Sequence, residues 1–247
     1  MFDKNVAMRH AELTYPEESC GAVVDGTYVP IKNLSSNPRE EFAIDNVEFA
    51  RLLIQKKVTA FIHSHPNGPS YPSDADMRSQ LDTKLVWGII PVYHGKASEL
   101  FLFGDGAPIP ELVGRPFRHG VTDCYSLIRD WYKLERNVQL PEYPRAWEWW
   151  NQSNGQSLYA DNFQNAGFER CPEGTRLEVG DICLFRIRSR TPNHAGVYVG
   201  DGLVLHHLSG RHGYDPTRLS CREPIVRRSG MVEYWLRYAN STPPRPS

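Results

Sequence analysis

A buried strand that ends in two histidines places the strongest constraint on how this chain can fold. Residues 58–62 form an apolar run typical of a buried strand, and His63 and His65 follow it two positions apart. Side chains two positions apart on a strand point to the same side, so both imidazoles face one way. Asp76, eleven residues after His65, opens a helix-like segment and can return as a third ligand. Two histidines and one aspartate leave a fourth tetrahedral position open, which is typical of a catalytic zinc site and predicts metal-assisted hydrolysis.

The same residues, with Ser73 three positions before Asp76, resemble the motif of the JAMM (MPN+) metallopeptidase family. Glu18 lies just ahead of an apolar strand and matches the upstream glutamate of that family. The resemblance implies a mixed α/β sandwich and a Zn2+ ion held by His63, His65 and Asp76. It also implies that Glu18 is the general base toward the attacking water, and that Ser73 donates a hydrogen bond to the tetrahedral oxyanion.

Ser73 and Asp76 also have an alternative interpretation that involves no metal. Ser73 is a favourable N-cap for a helix that begins at Asp74, and a carboxylate at Asp76 stabilises a helix N-terminus. Capping and catalysis are compatible, so both interpretations of these two residues stay open. Helix capping alone does not account for the whole five-residue pattern.

Composition argues against several classes of protein. At 247 residues the chain suits one large domain or two small ones, and 40% hydrophobic with 23% charged residues is ordinary for a globular protein. The formal net charge of -1 argues against nucleic acid bound through a general positive field. No apolar run approaches the roughly 18 residues that cross a bilayer, and the N-terminus does not resemble a secretory signal. We therefore expect synthesis in a cytoplasm and no transmembrane segment.

The first hundred residues alternate helix and strand signals, as expected for a mixed sheet with helices. One predicted helix runs from Asp45 to about Lys57, and its apolar residues share one face: Val47, Ala50, Leu53 and Ile54. A second predicted helix extends from Ser73 to Lys84.

Cysteine spacing and a segment rich in glycine and proline define the expected organisation. The five cysteines form no CxxC pair, so neither a disulfide framework nor a cysteine zinc ribbon is expected.

Residues 104–115 contain glycines and prolines without periodicity, which indicates a linker. We predict an α+β protein with two domains, residues 1–108 and 109–240, followed by a proline-rich tail at residues 241–247.

After the linker, a cysteine opens a helix. Asp123 can cap this helix, which places Cys124 in its first turn. The positive end of the helix dipole lowers the pKa of a thiol there, so Cys124 is a candidate nucleophile. Its candidate partners are His194 and His206, which open and close the two strands of a predicted hairpin with an Asp-Gly turn. The hairpin brings both imidazoles to one end, where His194 can pair with the thiolate and His206 can orient His194.

These residues resemble the NlpC-type cell-wall endopeptidases, which are papain-like cysteine peptidases with a Cys-His-His triad. The resemblance covers about Phe117 to Tyr238. The residues that match the family motifs are Asp123, Cys124, Gly180, Asp181, His194 and His206. The resemblance implies a C-terminal domain of helices packed on a small antiparallel sheet, with Cys124, His194 and His206 as catalytic residues. Tyr125 and the residue after it depart from the Ser-Gly that is common there, which affects the substrate contacts beside the nucleophile.

The order of the two domains resembles the K-type tail tip assembly proteins of lambda-like bacteriophages. This resemblance implies a peptidase with two active sites, made in the host cytoplasm and located at the phage tail tip, where it acts at the bacterial cell wall. The implied partners are other tail tip proteins and a peptidoglycan substrate, with no nucleic acid. An alternative interpretation is a structural hub or plug of the tail tip whose folds are catalytically silent. The complete metal set and triad favour the enzyme over this alternative.

Overall fold

A computed structural model describes residues 2–54, 57–151 and 157–239 of the chain, which divides into two compact units. The first unit is Met1–Pro108 and the second is Ile109–Ser247. The predicted proline-rich tail, residues 241–247, lies outside the described residues. Over the described ranges, the structure holds no helix with the length and apolar character needed to span a membrane.

The first unit is built on a mixed sheet in the order β2-β1-β3-β4-β5, with β6 paired to β4. Strands β3 and β4 are parallel and are joined through helix α3, whereas the other strand pairs are antiparallel. This strand–helix–strand crossover places the N-terminus of α3 beyond the carboxyl end of β3. The bounds of the elements are α1 Lys4–Thr14, β1 Cys20–Val24, β2 Thr27–Ile31, α2 Asn46–Ile54, β3 Val58–Pro66, α3 Asp74–Thr83, β4 Val86–Tyr93, β5 Lys96–Ala97 and β6 Phe101–Phe103.

The predicted apolar face of α2 is wrong. Val47 and Ile54 are 63% and 79% exposed, whereas Phe49 is buried. The ring of Phe49 packs edge-on against Phe61 of β3, with 5.6 Å between the ring centroids. One aromatic contact with the sheet therefore sets the rotation of this helix, because a large ring buries more apolar surface than the smaller residues of the predicted face.

The second unit contains an antiparallel sheet in the order β13-β11-β10-β9-β14-β8 and a separate pair, β7 with β12. Two short 3-10 helices cover Trp149–Asn151 and Ile225–Met231. The bounds of the other elements are β7 Pro116–Arg118, α4 Cys124–Arg136, α5 Leu158–Asn162, β8 Phe168–Arg170, β9 Ile182–Phe185, β10 His194–Gly200, β11 Leu203–His206, β12 Tyr214–Leu219, β13 Cys221–Pro224 and β14 Val232–Tyr238.

Helix α4 packs its apolar face against this sheet. Its N-cap is Asp123, whose side chain accepts a hydrogen bond from the Ser126 backbone N–H, and its C-cap is Asn137 in the left-handed region. The buried residues on its inner face belong to the same core cluster as the apolar residues of β10: Leu127, Ile128, Trp131, Ala195 and Val197. This packing brings the first turn of α4 to the start of β10. A helix packed on a small antiparallel sheet, after a separate mixed unit, confirms the predicted fold class.

Candidate active sites

Strand pairing positions Glu18 beside the two histidines of the first unit. Strands β1 and β3 pair with Cys20 opposite His63. The Ser64 N–H donates to the Ser19 carbonyl at 2.9 Å, and the Ser19 N–H donates to the Ser64 hydroxyl at 2.8 Å. Glu18 directly precedes Ser19, which these two hydrogen bonds join to Ser64, and Glu18 is 7% exposed. The pairing therefore holds the carboxyl-bearing residue at the strand end that carries both imidazoles.

The structure brings His63, His65 and Asp76 together as a buried group that could hold a metal ion. His63 Nε2 lies 3.1 Å from His65 Nε2 and 3.2 Å from Asp76 Oδ1. His65 Nε2 lies 3.4 Å from Asp76 Oδ2. In a tetrahedral zinc site, ligand atoms at about 2.0–2.1 Å from the metal are about 3.3 Å from one another. The observed separations fit this spacing.

The protonation of His65 supports the same conclusion. His65 Nδ1 lies 2.8 Å from the Pro69 carbonyl oxygen, which can only accept, so Nδ1 carries the proton. In the neutral ring, Nε2 then presents a lone pair toward His63 Nε2 and the carboxylate of Asp76. Lone pairs and a negative carboxylate repel one another unless a proton or a metal ion lies between them, and Asp76 raises the pKa of His65 for this reason when no metal is bound. The donor set is therefore suited to a metal ion, and its chemistry of two imidazoles and one carboxylate suits zinc.

His63 is oriented by packing instead of by a hydrogen bond. Its Nδ1 is buried and has no hydrogen-bond partner among the described residues. The ring lies against Phe42 at 5.0 Å and against Trp87 in an edge-on contact at 5.7 Å between centroids. A metal-ligating histidine usually donates its other N–H to an acceptor. Here aromatic neighbours fix the ring plane, so that Nε2 points at the other two ligands.

The pKa of the Glu18 carboxyl group lies close to neutrality. Burial raises the pKa of Glu18 to about 7, and the negative charges of Asp76 and Glu41 add to this effect while His65 opposes it. A carboxylate whose pKa lies near the operating pH can accept a proton and return it. The interactions with His65 and Asp76 also show that the Glu18 carboxylate lies within electrostatic range of the metal group.

Ser73 caps helix α3 as the capping interpretation predicts. Its hydroxyl oxygen accepts from the Asp76 N–H at 3.1 Å and its hydroxyl proton is donated to Asp76 Oδ2 at 2.7 Å. The Ser73 N–H donates to the same Oδ2, which completes a capping box. The hydroxyl must rotate away from Asp76 before it can donate to a substrate, so its role toward an oxyanion stays a prediction.

In the second unit, the hairpin places both histidines at one end of the sheet. His194 Nε2 lies 3.0 Å from His206 Nδ1, and both rings are buried. Gly196 lies opposite His206, and a Cβ at Gly196 would come within 3.0 Å of the His206 Cβ and 2.5 Å of Val204. Glycine at this position is therefore required for the two strands to approach closely enough for the imidazoles to meet.

Cys124 is the first residue of α4 and lies next to the start of β10. Its thiol is within hydrogen-bonding reach of the Ala195 backbone, directly after His194, and lies 3.1 Å from the Tyr159 hydroxyl. The hydrogen bond to His206 occupies His194 Nε2, so Nδ1 is the nitrogen of His194 that remains for the thiol. The structure thus places the Cys124 thiol at the Ala195 backbone, next in sequence to His194, which is itself paired with His206. Among the described residues, the thiol makes no hydrogen bond to either imidazole.

The prediction that the thiol pKa is lowered is wrong for this structure. Burial raises the pKa of Cys124 to about 11, and the negative charge of Asp123 adds to the effect. Hydrogen bonds from Tyr159 and from the Ala195 backbone act in the opposite direction but are weaker. His194 is also neutral, because burial holds its pKa well below the usual value. These shifts favour a neutral thiol and a neutral imidazole at rest, so attack by Cys124 requires loss of the thiol proton.

An ion-pair network that was not predicted from the sequence holds Asp123, the residue before Cys124, in place. Arg145 is buried, and its Nε and Nη2 donate to both carboxylate oxygens of Asp123 at 2.8–3.0 Å. Its Nη1 also donates to Glu142 Oε1 at 2.6 Å. The positive charge of Arg145 offsets part of the effect that Asp123 has on the Cys124 thiol. Arg145 thus stabilises the N-cap of α4 without leaving an uncompensated carboxylate beside the sulfur.

Tyr159 and Glu223 are two further residues that sequence reasoning missed. Tyr159 lies on the short helix α5, packs edge-on against Trp149 at 5.8 Å, and touches the thiol. Glu223 lies on β13 with its Oε2 3.1 Å from His206 Nε2. Neither residue belongs to a local spacing pattern, because each reaches the site from an element distant in sequence. The nearest local sequence feature is the group of three tryptophans before α5: Trp147, Trp149 and Trp150.

Acid pH is expected to destabilise the second unit. Burial lowers the pKa of four of its histidines: His119, His194, His206 and His207. Below pH 6.5 the unfolded chain therefore binds more protons than the folded chain, so the stabilisation present above pH 6.5 is lost as pH falls. As the pH falls from 7 to 5, each histidine that stays neutral in the folded chain reduces the free energy of unfolding by roughly 2 kcal/mol.

Urea unfolding of the full chain at several pH values measures this loss. Tryptophan fluorescence reports mainly on the second unit, because five of the six tryptophans lie there. His207→Gln, which retains a donor for the Arg218 carbonyl that His207 Nε2 contacts at 3.0 Å, is expected to reduce the pH dependence. The exposed His212→Gln serves as the matched control. A urea midpoint that does not change between pH 7 and pH 5 would contradict the expectation.

Comparison with known proteins finds one family in each unit. The family described as prokaryotic homologs of the JAB domain matches residues 4–102, and the NlpC/P60 family matches residues 114–227. The chain is 39% identical over 170 residues to tail tip assembly protein K of Escherichia phage lambda, covering 69% of this chain and 76% of that protein. It is 32% identical over 208 residues to tail tip assembly protein K of Escherichia phage N15, covering 82% and 83%.

A solved structure of a protein from Desulfitobacterium hafniense shares 27% identity, over 44% of this chain and 84% of that chain, with a TM-score of 0.33. A likeness at this TM-score supports no statement about activity. The family matches place a JAB-like domain ahead of an NlpC/P60 domain, and this order confirms the predicted tandem.

Proposed function

The chain belongs to the family of the phage tail tip assembly protein K, and we propose that it is a tail tip peptidase with two separate hydrolytic sites. The second unit would cleave peptide cross-bridges or stems of peptidoglycan as the tail crosses the cell wall. Two observations carry the proposal: Cys124 is the first residue of α4 with its thiol at the Ala195 backbone, and the preceding residue, His194, is hydrogen-bonded to His206. In this proposal the chain is made in the host cytoplasm, joins other tail tip proteins and reaches the wall with the virion.

Cys124 acts as the nucleophile of the second site. Its Sγ attacks the carbonyl carbon of the peptide bond while the thiol proton passes to Nδ1 of His194. His194 then gives this proton to the leaving amine, and water releases the acyl group from the sulfur. The Tyr159 hydroxyl, 3.1 Å from Sγ, donates a hydrogen bond to the developing thiolate. Burial keeps the pKa of Tyr159 well above its usual value, so the phenol retains the proton it donates.

The first unit hydrolyses a peptide or isopeptide bond, either in the wall or in a tail protein during assembly. His63, His65 and Asp76 would hold zinc, which supplies activation of water near neutral pH. Glu18, with a pKa of about 7, accepts the proton of the attacking water and delivers it to the leaving amine. The Ser73 hydroxyl rotates away from Asp76 and donates to the substrate oxyanion.

Incubation of purified peptidoglycan with the zinc-loaded full chain tests the proposal. We expect free amino groups to appear with time, together with shortened muropeptides in mass spectra. Each cleaved amide bond must yield one new amine and one new carboxyl group. A chain that binds peptidoglycan and releases no amine would instead match the structural hub or plug.

A further inference from the structure

A partly buried carboxylate extends the hydrogen-bonded pair formed by His194 and His206. His194 Nε2 lies 3.0 Å from His206 Nδ1, and His206 Nε2 lies 3.1 Å from Glu223 Oε2. Glu223 belongs to β13, the strand that pairs with β11 and its terminal His206. We propose that Glu223 is a positioning residue that sets the tautomers of both histidines and leaves the lone pair of His194 on Nδ1, the nitrogen that would accept the proton of Cys124. The inference rests on the proposed peptidase function of this site.

The tautomers follow from donor and acceptor chemistry. An ionised carboxylate can only accept hydrogen bonds, so His206 Nε2 must carry the proton that it shares with Glu223. In a neutral ring this leaves His206 Nδ1 as an acceptor, and His194 Nε2 must be the donor across the 3.0 Å contact. His194 Nδ1 then holds the lone pair. Without the carboxylate, the opposite pair of tautomers is equally allowed and would direct an N–H of His194 toward the thiol.

The surroundings of Glu223 keep it ionised and fixed. Arg228 Nε lies 2.5 Å from Glu223 Oε2, and Arg228 Nη2 lies 3.5 Å from Oε1. Burial alone would raise the pKa of Glu223, but the hydrogen bond and charge of Arg228, together with His206, outweigh it and lower the pKa. The competing acceptor for His206 Nε2 is the Cys221 sulfur at 3.8 Å, a weak acceptor at a longer distance. The carboxylate is therefore the dominant partner of His206.

The contacts from His194 through His206 to Glu223 would also stabilise charge during the reaction. When His194 Nδ1 takes the thiol proton, His194 becomes an imidazolium whose Nε2–H donates to His206 Nδ1. Buried His206 is held neutral, because burial lowers its pKa to about 4. The negative charge of Glu223 therefore stabilises the imidazolium through His206, with no further proton transfer. The charged groups that act on His206 are Glu223 and Arg228, and its titratable neighbours are His207 and the hydrogen-bonded His194.

Glu223→Gln removes this constraint while it retains the shape of the side chain. The amide can either accept from or donate to His206 Nε2, so both tautomer pairs become populated. We expect kcat on peptidoglycan peptides to fall about tenfold or more with KM unchanged, which corresponds to at least about 1.4 kcal/mol. Glu223→Asp restores a carboxylate and should recover part of the rate. Glu233→Gln, which removes a carboxylate that pairs with Arg186 at 3.0 Å, is the matched control.

Two measurements on the full chain require no substrate. Nitrogen-15 spectra of the imidazole rings should show single tautomers of His194 and His206 in the wild-type chain and mixed tautomers in Glu223→Gln. The rate at which iodoacetamide alkylates Cys124 at pH 7 should fall in the same variant and not in Glu233→Gln. Wild-type tautomers and an unchanged alkylation rate in Glu223→Gln, with Glu223→Asp behaving identically, would overturn the inference. Because these readouts do not depend on hydrolysis, they distinguish this inference from a failure of the proposed function.

Discussion

Replacement of Cys124 with alanine is expected to reduce the release of amines from peptidoglycan by the second unit at least about a thousandfold, because Cys124 supplies the sulfur that would form the acyl intermediate. The loss should appear in kcat and not in peptidoglycan binding, since the side chain contributes the reacting atom and little contact area. Zinc content and the thermal midpoint of the first unit should stay at their wild-type values. Amine release, followed by a colorimetric amine reagent and by mass spectrometry, is the measurement.

Cys171→Ala provides the matched control for this variant. Cys171 is also a partly exposed thiol of the second unit, but it follows β8 and its N–H donates to the Trp235 carbonyl, away from both histidines. We expect full activity from this variant. Wild-type amine release from Cys124→Ala would show that the nucleophile has been assigned wrongly.

Replacement of His63 with alanine is expected to lower the affinity of the first unit for zinc by more than about a hundredfold. The change removes one of three protein ligands, and it leaves the Asp76 carboxylate and a single imidazole to hold the ion. Zinc retained after dialysis against a weak chelator, counted by elemental analysis, measures the effect. Circular dichroism of the metal-free wild type and variant separates loss of the ligand from loss of the fold.

The control for the metal prediction is His94→Asn. His94 is exposed and has a positive φ of 49°, a conformation that asparagine tolerates well. Its replacement therefore removes one imidazole without backbone strain and should leave one zinc ion per chain. If His63→Ala bound zinc as tightly as His94→Asn, then His63 would not be a ligand.

The sequence predicted those parts of the two sites that depend on local geometry. Residues two apart on a strand share a face, so His63 and His65 could be placed together without knowledge of the sheet. The Asp-Gly turn between β10 and β11 likewise set the hairpin that joins His194 to His206. The cap of α4 placed Cys124 at a helix start. In each case the spacing along the chain was enough to determine the juxtaposition.

The parts that could not be predicted depend on tertiary packing. Glu223 reaches His206 from a separate strand, and Tyr159 reaches the thiol from a helix 35 residues away in sequence. Whether the thiol pKa is lowered or raised depends on how deeply the sulfur is buried and on the charges around it, and burial is the largest effect here. The face that α2 buries was set by a contact between Phe49 and Phe61, which helical periodicity does not encode.

Cys124 and His194 are expected to support peptide hydrolysis that does not require the metal group. The most direct measurement compares amine release from peptidoglycan by two chains, His63→Ala and His63→Ala combined with Cys124→Ala. We expect the first chain to release amines at the wild-type rate of the second unit and the double variant to release none. Equal release by both chains, or none by either, would contradict it.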